Sequence, residues 1–160
     1  MTTEHKIIIG GLVITFVMIV GISFLLSNNS SGSSSVSDDQ IVAQNGIHWH
    51  PKLTITIKGK KQEFANGIGL TGNVHQKMHT HDEDYKDGVV HMEMQGVVTK
   101  EDTKIGNFFK IWRKEFSSTK IFDKSNGNDG KVTMLVNGKE NSDFENYKMH
   151  DGDKIEISYK

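Results

Sequence analysis

Residues 131–160 read KVTMLVNGKENSDFENYKMHDGDKIEISYK, and this stretch decides the fold that the sequence predicts. Apolar and polar side chains alternate near both of its ends, which is the pattern of a strand with one buried face. The apolar positions are Val132, Met134 and Val136 in the first strand, and Ile155, Ile157 and Tyr159 in the second. Asn137-Gly138 favours a hairpin and Asp151-Gly152 a further turn. The stretch therefore predicts a hairpin followed by a last strand.

An amphipathic helix is predicted over residues 100–116, just upstream. Its large apolar side chains follow the i, i+3, i+4, i+7 spacing of a buried stripe, which we interpret as core. They are Ile105, Phe108, Phe109, Trp112 and Phe116. Thr99, with Asp102 three residues later, resembles a capping box with Asp in place of Glu. The helix is thus predicted to begin directly after Thr99.

Two further strands are predicted before the helix. The first covers His48 to Lys58 and the second covers Val89 to Gln95, with Gly59-Lys60 as a turn after the first. One face is apolar in each strand, formed by Trp49, Leu53, Ile55 and Ile57 in the first and by Val90, Met92 and Met94 in the second. Strands before and after one helix predict a mixed α+β order.

Residues 105–159, which include the stretch quoted above, resemble the last third of ubiquitin-like β-grasp domains such as sulfur-carrier proteins. The resemblance implies an α+β, β-grasp-like mixed sheet with one helix packed on one face. Carrier activity in that family needs a free Gly-Gly terminus, whereas this chain ends in Ser-Tyr-Lys, so the resemblance implies the fold alone. The segment GIHWHPKLTI…HTHDEDYKDGVVHME also resembles an uncharacterised group of membrane-anchored microbial proteins with HWH and HTHD motifs, which implies no particular activity.

Residues 7–26 read IIIGGLVITFVMIVGISFLL and carry no charge. Such a run matches the thickness of a bilayer and predicts a single transmembrane helix before the folded domain. A cleaved signal peptide is the alternative, but its apolar part is usually shorter and is followed by a small-x-small cleavage site. Lys6 precedes the run and the next basic residue is Lys52. The positive-inside rule therefore places residues 1–6 in the cytoplasm and the remainder outside the cell membrane.

The rest of the chain divides into a linker and one domain. Residues 27–40, rich in Ser, Gly and Asn, predict a flexible linker, and residues 41–160 predict one extracytoplasmic domain of ordinary size. The chain has no cysteine, so no disulfide stabilises it. A net charge of −1 without a basic patch argues against nucleic acid as a partner. The expected partners are the lipid bilayer, through residues 7–26, and a metal ion; the sequence does not identify a protein partner.

Three short groups carry potential metal ligands: His48-Trp49-His50, His79-Thr80-His81 and His91-Met92-Glu93. On a strand, residues i and i+2 face the same side, so an extended His-x-His can present both rings to one ion. If the apolar faces of both strands meet the helix, the polar faces form one patch, over which the loop with His79 and His81 could fold. The predicted ligands are His48, His50, His79, His81, His91 and Glu93, with Asp82 and Glu93 as candidates for orienting the rings, and His75, Met78 and His150 as further candidates.

The identity and number of the ions stay open at this point. Copper(II) favours nitrogen-rich sites and zinc suits three histidines plus water, so either is compatible with the pattern, in one site or two. The alternatives to a metal site are solvated histidines and a pH sensor. The acidic run of residues 82–84 lacks the regular spacing of a calcium loop, which favours a solvated turn.

Three functions fit this sequence. The first is a membrane-anchored binding protein that captures or relays copper or zinc outside the cell. The second is a three-histidine zinc enzyme of hydratase or hydrolase type, with Glu93 as general base. The third is a structural β-grasp interaction module in which the histidines hold no metal. The pattern favours binding over catalysis and leaves an enzymatic role undecided.

Overall fold

The computed structural model describes residues 37–160. The predicted cytoplasmic residues 1–6, the predicted transmembrane run 7–26 and nearly all of the predicted linker lie outside these described residues. Over residues 37–160, the helices are too short and too polar to cross a bilayer.

Strands account for most of the regular structure. They are β1 (Ile41–Ala43), β2 (Ile47–Trp49), β3 (Lys52–Ile57), β4 (Lys60–Gln62), β5 (Leu70–Thr71), β6 (Val74–His75), β7 (Met78–His79), β8 (His91–Met94), β9 (Val98–Thr99), β10 (Phe116–Ser117), β11 (Lys120–Ile121), β12 (Lys124–Ser125), β13 (Val132–Val136), β14 (Lys139–Glu140) and β15 (Lys154–Tyr159). One α-helix, α1 (Ile105–Trp112), and three 3₁₀ turns (Asp38–Gln40, Tyr85–Asp87 and Phe144–Asn146) complete residues 37–160.

The largest sheet has five strands in the order β14-β13-β15-β3-β4. Its centre is the parallel pair β15 and β3, and the other neighbours are antiparallel. One face carries the alternating apolar residues seen in the sequence, which enter the same buried core as the helix residues Ile105, Phe108 and Phe109. The hairpin predicted at Asn137-Gly138 is confirmed, since it joins β13 to β14 with both residues at positive φ. The turn at Asp151-Gly152 is confirmed as well.

The fold class predicted above for the folded domain, an α+β, β-grasp-like mixed sheet with one packed helix, is wrong; the transmembrane helix predicted before it lies outside the described residues. The described chain is mostly strands, divided among five sheets that are mixed or antiparallel, with one short helix of eight residues. Residues 100–103 form turns instead of helix because the reciprocal hydrogen bonds between Thr99 and Asp102 close a turn there. At the other end, Arg113 adopts a left-handed conformation and stops the helix.

The strand predicted over His48 to Lys58 is also broken in two. Pro51 separates β2 from β3, because proline has no N–H for a ladder and restricts the residue before it. The two pieces enter different sheets: β3 joins the five-stranded sheet, whereas β2 pairs with β8 in a three-stranded sheet of order β2-β8-β7. His48 and His50 are thereby separated from the strand that carries Leu53 and Ile55.

Candidate metal site

The three-stranded sheet β2-β8-β7 has one polar face. His48 lies opposite Glu93 across β2 and β8, and His79 lies opposite His91 across β7 and β8. Directly paired residues share a face, and so do His91 and Glu93, which are two positions apart on one strand. The four side chains therefore project from the same side of this small sheet.

The opposite face of the same sheet is apolar. Met92 pairs with Trp49 on one side and with Met78 on the other. Met78 and Met92 are fully buried in the core, and Trp49 packs against it. Burial of this face fixes the register, since a slip by one residue would turn the histidines inward and the methionines outward.

Six imidazole rings follow one another across the polar face and the adjoining loops. In the order His48, His50, His91, His81, His79 and His75, consecutive ring centroids are 4.7, 4.7, 4.5, 4.7 and 5.0 Å apart. We call these six residues the histidine row. They come from the three stretches of residues 48–50, 75–81 and 91.

The histidine row contains groups that could hold a metal ion. We call His48, His50 and His91 the His48 triad, and His75, His79 and His81 the His79 triad. A third group, His81, His91 and Glu93, takes one ring from each triad, and we call it the bridging group. Within each group the candidate ligand atoms all lie within 4.8 Å of one another. Three nitrogen or oxygen ligands at this spacing suit a transition metal whose remaining coordination is completed by water.

His79 is the most constrained ring of the row. Its side chain is fully buried, and its Nδ1–H donates to the Gln76 carbonyl at 2.9 Å. A carbonyl can only accept, so the Nε2 of a neutral His79 keeps its lone pair. Burial lowers the pKa of His79, and the hydrogen bond to Gln76 offsets only part of this effect. The ring is therefore held in the neutral form that binds metals.

His81 presents its own Nε2 to His79 Nε2 at 3.0 Å. Two nitrogens bound at about 2.0–2.1 Å to one tetrahedral ion lie roughly 3.3 Å apart. The observed separation is close to this value, so little movement of the two rings is needed for both to bind one ion.

His91 is oriented by a carboxylate that the sequence interpretation missed. Asp84 accepts from His91 Nε2 at 3.0 Å, whereas Asp82, the predicted orienting residue, is exposed. A turn brings Asp84 back toward His81, whose carbonyl accepts from the Tyr85 N–H at 3.1 Å. In the sequence, the available indication of a carboxylate near the rings was the position of Asp84, three residues after His81 in a polar turn.

The other ring nitrogen of His91 has no protein partner. Nδ1 is buried and makes no hydrogen bond among the described residues. Because Asp84 holds the proton on Nε2, the lone pair is on Nδ1. A carboxylate behind one nitrogen and a free lone pair on the other is the arrangement that orients histidine ligands in metal sites.

Glu93 lies near one member of each triad. Its Oε1 is 3.1 Å from His48 Nε2 and 3.9 Å from His79 Nε2, and its side chain is 40% exposed. Glu93 is therefore placed to bind an ion directly or to compensate the charge of one bound to the rings.

The loop that carries His79 and His81 is anchored to residues 65–69. Thr80 is buried; its N–H donates to the Ile68 carbonyl, and its hydroxyl accepts from the Ile68 N–H at 3.0 Å. Gly69 has a φ of +76°, and a Cβ there would overlap the Met78 carbonyl oxygen. Close packing of this backbone fixes β7 and the loop after it. The sequence predicted that His79 and His81 lie in a loop folded over the patch, whereas His79 lies in β7, an edge strand of the sheet.

The three further candidates have different surroundings. His75 joins the His79 triad. Met78 points into the core from the apolar face, away from the row. His150 stacks on Trp49 with ring centroids 6.0 Å apart and belongs to none of the three groups. His75 is thus the candidate that enters the row.

Comparison of the chain with protein-family models, with curated proteins and with solved structures yields no match. The geometry of the histidine row is therefore the main indication of what this domain does.

Proposed function

We propose that residues 41–160 form a metal-binding domain that captures or relays copper or zinc through the histidine row. The observation that carries the proposal is the convergence of six rings from three separate stretches of chain, with consecutive centroids no more than 5.0 Å apart. Solvated histidines have no reason to converge, and clustering rings that can each be protonated costs free energy unless a ligand is bound.

The donor chemistry supports copper or zinc over other ions. The histidine row offers imidazole nitrogens, and the carboxylates of Glu93 and Asp84 lie beside it. Such ligands suit Zn²⁺ and Cu²⁺, whereas Ca²⁺ and Mg²⁺ take oxygen ligands. A blue-copper centre would need a cysteine thiolate, and the chain has no cysteine. The proposed role is therefore binding and transfer of the ion.

We place this domain outside the cell, tethered by residues 7–26 through the linker of residues 27–40. The support is the uncharged apolar run and the lysine before it. A tethered domain with exposed ligands such as His48 and His75 would meet ions arriving from the external medium. Accessibility of single cysteines introduced at residues 3 and 45 to an impermeant thiol reagent in intact cells tests the orientation: residue 45 should react and residue 3 should not.

The metal is tested by elemental analysis of the full chain purified in detergent without a histidine tag or chelators. We expect bound zinc or copper, and electron paramagnetic resonance identifies Cu²⁺ on the same sample. The combined variant His48→Ala/His50→Ala/His75→Ala/His81→Ala should lose the metal, and His150→Ala, outside the row, should keep it. A wild-type chain that carries no metal and takes up neither ion on titration would overturn the proposal.

A hydrolytic or hydrating zinc enzyme is the second candidate, and Glu93 is the observation that favours it. Its half-exposed carboxylate lies 3.9 Å from His79 Nε2, close enough to accept a proton from water on an ion in the His79 triad. The zinc-loaded chain would then hydrolyse an activated ester or hydrate carbon dioxide. Glu93→Gln should remove the turnover while zinc stays bound; equal rates in the two proteins would reject the catalytic role.

A further inference from the structure

We infer that the histidine row holds two ions at once, one in the His48 triad and one in the His79 triad. This inference rests on the metal-binding function proposed above. The two triads have no residue in common, and each supplies three imidazoles whose candidate ligand atoms lie within 4.8 Å of one another. Three protein ligands are enough for an ion that keeps a bound water.

The unpartnered nitrogen of His91 argues for the second ion. An ion confined to the His79 triad would leave His91 Nδ1 buried without a partner, as it is now. An unsatisfied buried polar atom is costly, and native proteins rarely keep one. An ion that His91 binds through Nδ1, as a member of the His48 triad, would satisfy this nitrogen, while Asp84 accepts from the Nε2–H on the opposite side of the ring.

Charge balance also allows two ions. Two divalent cations held only by neutral imidazoles would repel each other strongly at short range. Glu93 lies within 3.9 Å of both His48 and His79, and Asp84 contacts His91. These two carboxylates place negative charge at both triads and reduce the repulsion.

The two sites differ in how rigidly their ligands are held. Each triad has one exposed ring, His48 or His75, but the His79 triad also has a fully buried ring, His79, whose tautomer is fixed by Gln76. Ordering exposed side chains on binding costs conformational entropy, and ligands that are already ordered avoid that cost. The His79 triad is therefore the tighter site and fills first, and the His48 triad is the weaker one.

The bridging group supplies contact between the two sites. His81 and His91 belong to different triads, and their ring centroids are 4.5 Å apart. An ion held by His81, His91 and Glu93 would use one ligand of each triad, so that position competes with the other two.

The test is a zinc titration of the full chain in detergent, with bound zinc measured by elemental analysis after dialysis. We expect two zinc ions per wild-type chain, the second bound at least tenfold more weakly. His48→Ala/His50→Ala should bind one ion with the tighter affinity, and His75→Ala/His81→Ala one ion with the weaker affinity. His150→Ala is the matched control and should bind two, and circular dichroism checks that each variant is folded.

A titration with Cu²⁺, followed by electron paramagnetic resonance, tests whether the two bound ions lie close to each other. The first equivalent should give an isolated Cu²⁺ resonance, and the second should broaden it through coupling between the two close ions. Neither double variant should show the broadening. A second equivalent that adds an uncoupled signal would overturn the two-ion inference.

The number of ions bound per chain distinguishes a failure of the two-ion inference from a failure of the proposed metal-binding function. One ion per wild-type chain, with both double variants weakening that same ion, would overturn the inference and leave the metal-binding function in place. No bound ion at all would overturn both.

Discussion

His79 Nε2 and His81 Nε2 face each other at 3.0 Å, although His79 lies in strand β7 and His81 in the loop that follows it. His79 uses its Nδ1–H on the Gln76 carbonyl, so one proton, on His81 Nε2, joins the two facing nitrogens. A metal ion between the two nitrogens would replace that proton, and the proton would move to Nδ1 of His81, so that both rings bind the ion in their neutral form.

Asp84→Asn should weaken metal binding about 10–100-fold, because it removes the carboxylate that orients His91. Competition with a chromophoric zinc chelator measures the affinity. The matched control is Asp82→Asn, which removes the same charge from an exposed residue of the same loop. If both substitutions weaken zinc equally, loop charge and not the contact with His91 determines the affinity.

Zinc should stabilise the folded domain against heat. At a free zinc concentration 100 times the dissociation constant, binding adds about 2.7 kcal/mol to the free energy of unfolding. For a domain of this size the midpoint of thermal unfolding rises by roughly 10 °C. Scanning calorimetry with and without zinc measures the shift, EDTA should reverse it, and Mg²⁺ should not produce it. A shift of the same size in His48→Ala/His50→Ala/His75→Ala/His81→Ala would contradict binding at the row.

The stabilising contribution of Asp102 to the fold should be lost in acid. Burial, the largest single influence, raises the pKa of Asp102, but hydrogen bonds from Lys77 and Thr99 together outweigh it, so the pKa lies below its ordinary value. A carboxyl with a lowered folded pKa contributes stability above its unfolded pKa of about 3.9 and loses it as the pH falls through the folded pKa. Asp102→Asn should therefore cost about 1–2 kcal/mol at pH 7 and much less near pH 2–3.

Urea unfolding of wild type and Asp102→Asn at several pH values measures this difference. Glu101→Gln is the control, since Glu101 is 70% exposed and pairs on the surface with Lys104. A cost of Asp102→Asn that stays constant from pH 7 to pH 2 would rule out the ionised carboxylate as its source.

Gly69→Ala should both destabilise the fold and weaken zinc binding. A Cβ at this left-handed position would overlap the Met78 carbonyl oxygen and push β7, with His79, away from its place. Gly72→Ala is the matched control, because it has a φ of +58° with nothing within 4 Å of its Cβ and incurs the backbone strain alone. We expect Gly69→Ala to cost about 1–3 kcal/mol more than Gly72→Ala in urea unfolding. Equal zinc affinities in the two variants would show that the close contact does not position the site.

Side-chain faces were predictable where strand alternation is regular. His91 and Glu93 do lie on the face opposite Met92, because the two-residue period is a property of the extended backbone. Turns that need positive φ, at Asn137-Gly138 and before β15, were predictable for the same local reason. The shared polar patch was expected only on a condition about how the two strands pack, and the pairing of β2 with β8 shows that they are neighbours.

Features that depend on distant contacts were not predictable from local pattern. The helix is shorter than its apolar spacing predicts, because side-chain hydrogen bonds at Thr99 and a left-handed Arg113 limit it. Strand β7 has two residues, too few for any period to be read, so His79 was expected in a loop. The contact of Asp84 with His91 depends on a turn whose geometry the sequence does not specify.

The amino-acid sequence alone indicates which residues could act as metal ligands and which face of each regular strand they occupy, because composition and local backbone geometry suffice for both. Tertiary contacts set the remaining features: the two parts of the first strand enter different sheets, five small sheets replace the expected α+β fold, and six rings form one row in which His75 takes part. Those outcomes depend on which strands pair and on which apolar faces are buried together, and such pairings join residues far apart in the chain, where no local period carries information.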